Sequence, residues 1–101
     1  MSDQRLEQLL EQSKQIYDLA VAGEWEQAEE LDVERKKLIK ACFTPQANFH
    51  DPEKAASKVR EIIELDNKVV ELSEKARGEL RGALNAFRRG RQATEAYQQN
   101  R

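Results

Sequence analysis

Ala55, Val59, Ile62, Asp66, Val69, Ser73, Ala76, Leu80, Ala83, Phe87, Gly90, Thr94 and Tyr97 follow one another at alternating steps of four and three residues. Such spacing puts all thirteen on one face of a helix. Asp51–Pro52–Glu53 supplies the start: a capping Asp, a Pro at the first helical position and an acid in the first turn. The pattern then predicts a helix over about 52–98, which at 1.5 Å per residue is roughly 70 Å long.

The rest of the chain is too short to cover such a rod. Leu6, Leu9, Leu10, Ser13, Ile16, Tyr17, Ala20 and Val21 make one helical stripe, with Ser2 read as its N-cap and Gly23 as its C-terminal stop. Trp25, Ala28, Leu31, Arg35, Leu38, Ile39 and Cys42 make the next. These predict helices over about 3–22 and 24–42, each roughly 30 Å long, joined so tightly that they form an antiparallel hairpin. Residues 43–51, with Pro45 and His50, form the one substantial loop. A chain of 101 residues admits one domain, and the expected fold is all-α: a helical hairpin plus a long third helix, together a three-helix bundle. Ile63, Leu65, Val70, Leu72 and Leu84 widen the third stripe towards the breadth of a core-facing helix.

Two arrangements meet the length mismatch. Gly78, Gly82 and Gly90 are candidate breaks, each costing about 1 kcal/mol relative to Ala in a helix, so the C-terminal part could bend back as a short fourth helix. Alternatively the helix continues, and Leu80, Leu84, Phe87 and Tyr97 need another chain to cover them. Either way the C-terminal quarter is the expected site of action.

Charge is distributed to match. Residues 1–34 hold ten acids and two bases, whereas residues 76–101 hold six Arg and two Glu, although the whole chain is only −2. Mutual attraction between an acidic hairpin and a basic last helix is the plain reading. The sharper one makes Arg77, Arg81, Arg88, Arg89 and Arg91 a docking face for an acidic partner. Direct nucleic-acid binding is not expected: the sequence pI is about 5.5 and no recognition fold can be read.

Catalytic and metal chemistry is not expected either. One Cys (Cys42) and one His (His50) do not close a zinc site or a disulfide, and the glycines occur singly rather than as a phosphate-cradling loop. No cofactor is expected, and an enzyme is not. Cys42 reads as a small core residue, His50 as a solvated loop residue and Trp25 as a packing residue at one end of the bundle. Asp66 sits at an inward position and is expected to pair with Arg35, itself inward-phased, as a polar group that fixes register. With no export signal readable in the first 20 residues and no apolar run of roughly 18 residues, the expectation is a cytoplasmic protein with no membrane insertion.

Two stretches carry a resemblance: Leu19–Phe43, LAVAGEWEQAEELDVERKKLIKACF, and Leu84–Gln98, LNAFRRGRQATEAYQ. Together they resemble the flagellar protein FliT family of small bacterial helical chaperones. The resemblance implies a type III export chaperone that holds the filament-cap protein, FliD, in the cytoplasm, prevents its premature assembly and delivers it to export-gate and ATPase components. Some members also bind the flagellar master transcription regulator. It further implies a C-terminal helix that governs partner binding. On this chain that role would fall on Leu80, Leu84, Phe87 and Tyr97, with Arg88, Arg89 and Arg91 as flanking charges.

Two other readings stand beside this one. The turn around Ala22–Trp25 is also similar to that of a tetratricopeptide repeat, but a stable array needs about three copies and no second copy is present. The alternative function is a coiled-coil adaptor that mediates protein–protein assembly with no export client, as a homodimer through residues 55–97. Small or polar residues at 66, 73, 76, 83 and 90 weigh against a uniform seam.

Overall fold

A computed structural model describes residues 2–99, and the side chains of residues 2–91. Three α-helices follow in order: α1 (Ser2–Val21), α2 (Trp25–Cys42) and α3 (Pro52–Gln99). The first turn of α3 is closed by Asp51, whose Oδ1 accepts from the backbone N–H groups of Glu53 at 3.1 Å and Lys54 at 3.2 Å. This is the start expected of Asp-Pro-Glu.

α1 stops where Gly23 adopts φ +77°. The Glu24 N–H donates to the Leu19 carbonyl at 2.8 Å and the Gly23 N–H to the Ala20 carbonyl at 3.1 Å. The two bonds form a Schellman motif, which satisfies terminal carbonyls and reverses the chain within three residues. Ser2 departs from its expected role. It lies inside α1, buried, and its Oγ accepts from the Asn48 N–H at 3.3 Å, so it fastens the 43–51 loop rather than capping its own helix. Asp3 does the same for the His50 N–H, accepting it at 3.1 and 3.2 Å.

α1 is the central helix, packed against both α2 and α3. At the end where the loop lies, Leu6, Leu9, Cys42 and Ala55 form a closed apolar core, with Leu38, Phe49, Val59 and Ile62 packed around it. Burying a leucine contributes about 1.5–3 kcal/mol, so this small cluster carries much of the fold's stability. Arg5 Nη1 donates to the Ala41 carbonyl at 2.9 Å, placing a positive charge at the C-terminal end of α2 where it is favoured. Lys58 pairs with Glu7 to link α3 to α1.

α3 runs unbroken for 48 residues, so Gly78, Gly82 and Gly90 are not breaks and the chain makes no fourth helix among the described residues. The molecule measures 77 × 22 × 20 Å, against roughly 72 Å for 48 helical residues. α3 runs close alongside α1 and meets α2 only through side chains, so only a narrow stripe of it is covered. Ile63 and Val70, expected to widen the core face, are 52% and 53% exposed, and Val21 at the end of α1 is exposed as well.

Candidate functional site

Midway along the bundle a polar layer interrupts the core. Ser13, on α1 and almost wholly buried, donates from Oγ to the Leu9 carbonyl at 2.8 Å. The same oxygen accepts from Arg35 Nη1 at 3.0 Å. Arg35 Nη1 also donates to Asp66 Oδ1 on α3 at 2.5 Å, and Nη2 to Asp32 Oδ1 one turn earlier on α2 at 2.7 Å. The pairing expected of Asp66 is therefore present, within a larger network that adds Asp32 and Ser13. Burial works against the Arg35 charge, but hydrogen bonds and attraction from Asp66 and Asp32 outweigh it and hold the guanidinium more firmly protonated than usual. Asp32 behaves in parallel: burial pushes its carboxyl up, while Arg35 and Lys36 more than reverse this and leave it below the ordinary range.

Above this layer α2 and α3 stand apart and leave an open groove of about 730 Å³. Ile16 of α1 belongs to its lining; Trp25, Ala28, Glu29, Asp32 and Arg35 form the α2 side. Asp66, Val69, Val70, Ser73, Ala76, Arg77 and Leu80 form the α3 side. Small side chains at Ala28, Ser73 and Ala76 are what keep it open. In the sequence these three read as ordinary members of helical stripes. Their clustering next to Trp25 was the available signal, and it becomes legible only once α2 and α3 are known to flank α1. Trp25 is half-buried and lines the groove.

Leu80 is where the groove meets the overhang. Every residue from Arg77 to Arg91 is exposed, and Leu80, Leu84 and Phe87 are 62%, 48% and 70% exposed. They continue the stripe that lower down packs on α1, with nothing packed on it here. Arg88, Arg89 and Arg91 lie on this segment, exposed. The side chain of Tyr97 lies outside the described residues. Cys42 is buried in the lower core, where loss of solvation pushes its thiol up, and His50 is exposed in the loop. Neither approaches the groove. Among the described residues no cluster of His, Cys, Asp or Glu could hold a metal ion, and no helix is long and apolar enough to cross a membrane.

An apolar groove with a polar end, continued by an uncovered helical stripe, is an arrangement for receiving another polypeptide. The family described as flagellar protein FliT matches residues 3–99, nearly the whole chain. The chain belongs to the FliT family. No curated protein and no solved structure matches it. FliT is a chaperone family, and membership supports a flagellar export chaperone role for this chain. The features assembled above are therefore those of a FliT-family protein in which the third helix extends far beyond the hairpin.

Proposed function

We propose that this FliT-family chain is a cytoplasmic type III export chaperone that binds the filament-cap protein FliD, keeps it from assembling early and hands it to the export apparatus. The observation that carries the reading is the apolar stripe Leu80, Leu84 and Phe87, exposed on a helix with no neighbour. Anchors at steps of four and three are what a client helix needs to pack along α3. Arg88 and Arg89 flank the stripe and are suited to acidic surfaces on the export ATPase or gate components, or on a flagellar transcription regulator. Long-range attraction of this kind acts chiefly on encounter rates.

Titration calorimetry with the C-terminal segment of the filament-cap protein tests the first step. Leu84→Asp and Phe87→Asp are expected to weaken binding at least about tenfold, the equivalent of 1.4 kcal/mol, with far-UV helicity unchanged. Affinity equal to wild type in both variants overturns the assignment of the stripe. Reversing Arg88 and Arg89 to Glu is expected to reduce capture of the export ATPase without changing client affinity; undiminished capture overturns that role.

A further inference from the structure

We propose that the groove between α2 and α3 receives an amphipathic helix of the client whose apolar face is interrupted by one lysine or arginine, and that Asp66 is the residue that selects it. The inference rests on the reading that this chain holds a client helix, and it states what that helix must carry and where.

Shape is the first argument. From Asp66 to Leu80 the α3 wall of the groove spans roughly 21 Å, so the space is an open slot between two helical walls. The backbone groups of those walls are already bonded within α2 and α3. An extended segment laid there would find no backbone partners, whereas a helix arrives with its own hydrogen bonds made. Ala28, Ser73 and Ala76 leave room for large side chains to enter, and Ile16, Val69 and Leu80 give them apolar contacts. Large against small is the complementarity that lets two helices approach closely.

Charge decides the inner end of the groove. Arg35 is already shared there among Asp66, Asp32 and Ser13. Asp32 has both oxygens engaged, Oδ1 by Arg35 at 2.7 Å and Oδ2 by Lys36 at 3.2 Å. Asp66 differs. Its Oδ1 takes the Arg35 bond, Arg35 is its one partner among the described residues, and its side chain lines the open groove 42% exposed. A helix seated in the groove covers that exposed surface. Covered by an apolar side chain, the carboxylate would lose its water without a replacement donor, which is costly. Covered by an ammonium or guanidinium, it makes a charge-assisted hydrogen bond of the stronger kind. The apolar stem of Lys or Arg meanwhile lies along the groove wall while its head reaches Asp66. An acid in the same place meets Asp66 and Asp32 together, with Glu29 one turn further along α2, and is rejected. Asp66 thereby sets the register of the bound helix: one basic side chain is pinned at the inner end, and apolar anchors follow it towards Trp25 and Leu80.

Fluorescence anisotropy on the full chain with synthetic helices tests the proposal. Three peptides of about 18 residues, roughly 27 Å as a helix, share one Leu/Ala face and differ at a single position within it: Lys, Gln or Glu. The wild type is expected to bind the Lys peptide at least about tenfold tighter than the Gln peptide, and the Glu peptide more weakly than either. Asp66→Asn keeps the size of the side chain and leaves Arg35 its bonds to Asp32, and in it the Lys and Gln peptides should bind within about twofold of each other. Glu64→Gln removes the same charge from an exposed site two residues away that does not share the face of Asp66, and should leave the tenfold preference intact. Circular dichroism checks that each variant is folded. A preference that survives Asp66→Asn overturns the proposal, as does one that Glu64→Gln abolishes equally, which would mean general attraction to an acidic surface. A wild type that binds none of the peptides at concentrations where it is monomeric leaves the groove to a second copy and overturns the proposal as well. The C-terminal segment of the filament-cap protein separates this inference from the client reading. A segment that binds wild type and Asp66→Asn equally upholds the client and overturns the role of Asp66; one that binds neither removes that client, while the synthetic helices still decide the role of Asp66.

Discussion

Arg35 and Asp66 meet at 2.5 Å between α2 and α3, two helices that run alongside α1 rather than alongside each other. Arg35 is 11% exposed at its side chain and is shared among Asp66, Asp32 and Ser13; Asp66 is 42% exposed. The two ends of this bond therefore differ in what their loss should cost.

Arg35→Ala leaves a half-buried Asp32 without its main partner, a buried Ser13 hydroxyl without its donor, and a void where the side chain packed. Removing one member of a buried network typically costs about 3–5 kcal/mol. Asp66→Asn leaves Arg35 still paired with Asp32, and its solvent exposure screens what is lost, so about 0.5–1 kcal/mol is expected. Urea denaturation followed by circular dichroism should place Arg35→Ala well below Asp66→Asn in midpoint. Equal losses would mean that Asp66 rather than the whole layer holds the register.

The same network sets an acid limit. Asp32 in the folded chain lies below its ordinary value of 3.8 because the hydrogen bonds and charges of Arg35 and Lys36 outweigh the upward push of burial. A carboxyl depressed on folding binds fewer protons folded than unfolded, so its contribution to stability is full above the unfolded value and is lost as pH falls through the folded one. Thermal melts should therefore show wild-type stability falling below about pH 4, more steeply than in Asp32→Asn, whose curve lacks this component. Identical slopes in the two proteins would remove Asp32 from the acid response.

The hairpin, the start of α3 and the Arg35–Asp66 pairing were legible because each rests on local rules: helical phase, a Gly at a C′ position, an Asp-Pro-Glu cap. The groove was not. It arises because α3 runs alongside α1 and stands off from α2 beyond the lower core, a choice that depends on how Leu9, Cys42 and Ala55 fit together and not on any single stripe. For the same reason Ile63 and Val70 read as core and are exposed. The continuity of α3 was indicated by the unbroken stripe over 52–98 and is present in the fold, although propensity alone weighs each of its three glycines as a candidate stop. The exposed stripe at Leu80, Leu84 and Phe87 lies between these cases: its pattern is plain in the sequence, whereas the lack of a neighbour is a property of the fold.

Glycines offer a direct comparison. Gly23 has φ +77°, a conformation that costs a residue with a Cβ about 1–2 kcal/mol, so Gly23→Ala should lower the melting temperature although nothing lies within 4 Å of the added carbon. Gly82 sits in regular helix with open space around it, so Gly82→Ala should stabilise its surroundings by about 1 kcal/mol. That gain belongs to the overhang and not to the bundle. It should appear as slower amide exchange around residues 78–88 with an unchanged urea midpoint. A shift in the global midpoint would show that the overhang folds cooperatively with the hairpin.

Stability and docking are carried by different ends of the molecule, and this separation can be measured. Leu9 is 1% exposed within the closed core, whereas Phe87 is 70% exposed. Leu9→Ala should cost about 2–5 kcal/mol through lost burial and the cavity left behind. Phe87→Ala removes a larger side chain yet should change the unfolding free energy of the monomer by no more than about 0.5 kcal/mol, as for other surface sites. Urea titrations at low protein concentration, where self-association does not contribute, make the comparison clean. If Phe87→Ala destabilised the monomer as Leu9→Ala does, the overhang would have to be packed against its own bundle. The stripe would then have no free face to offer a partner.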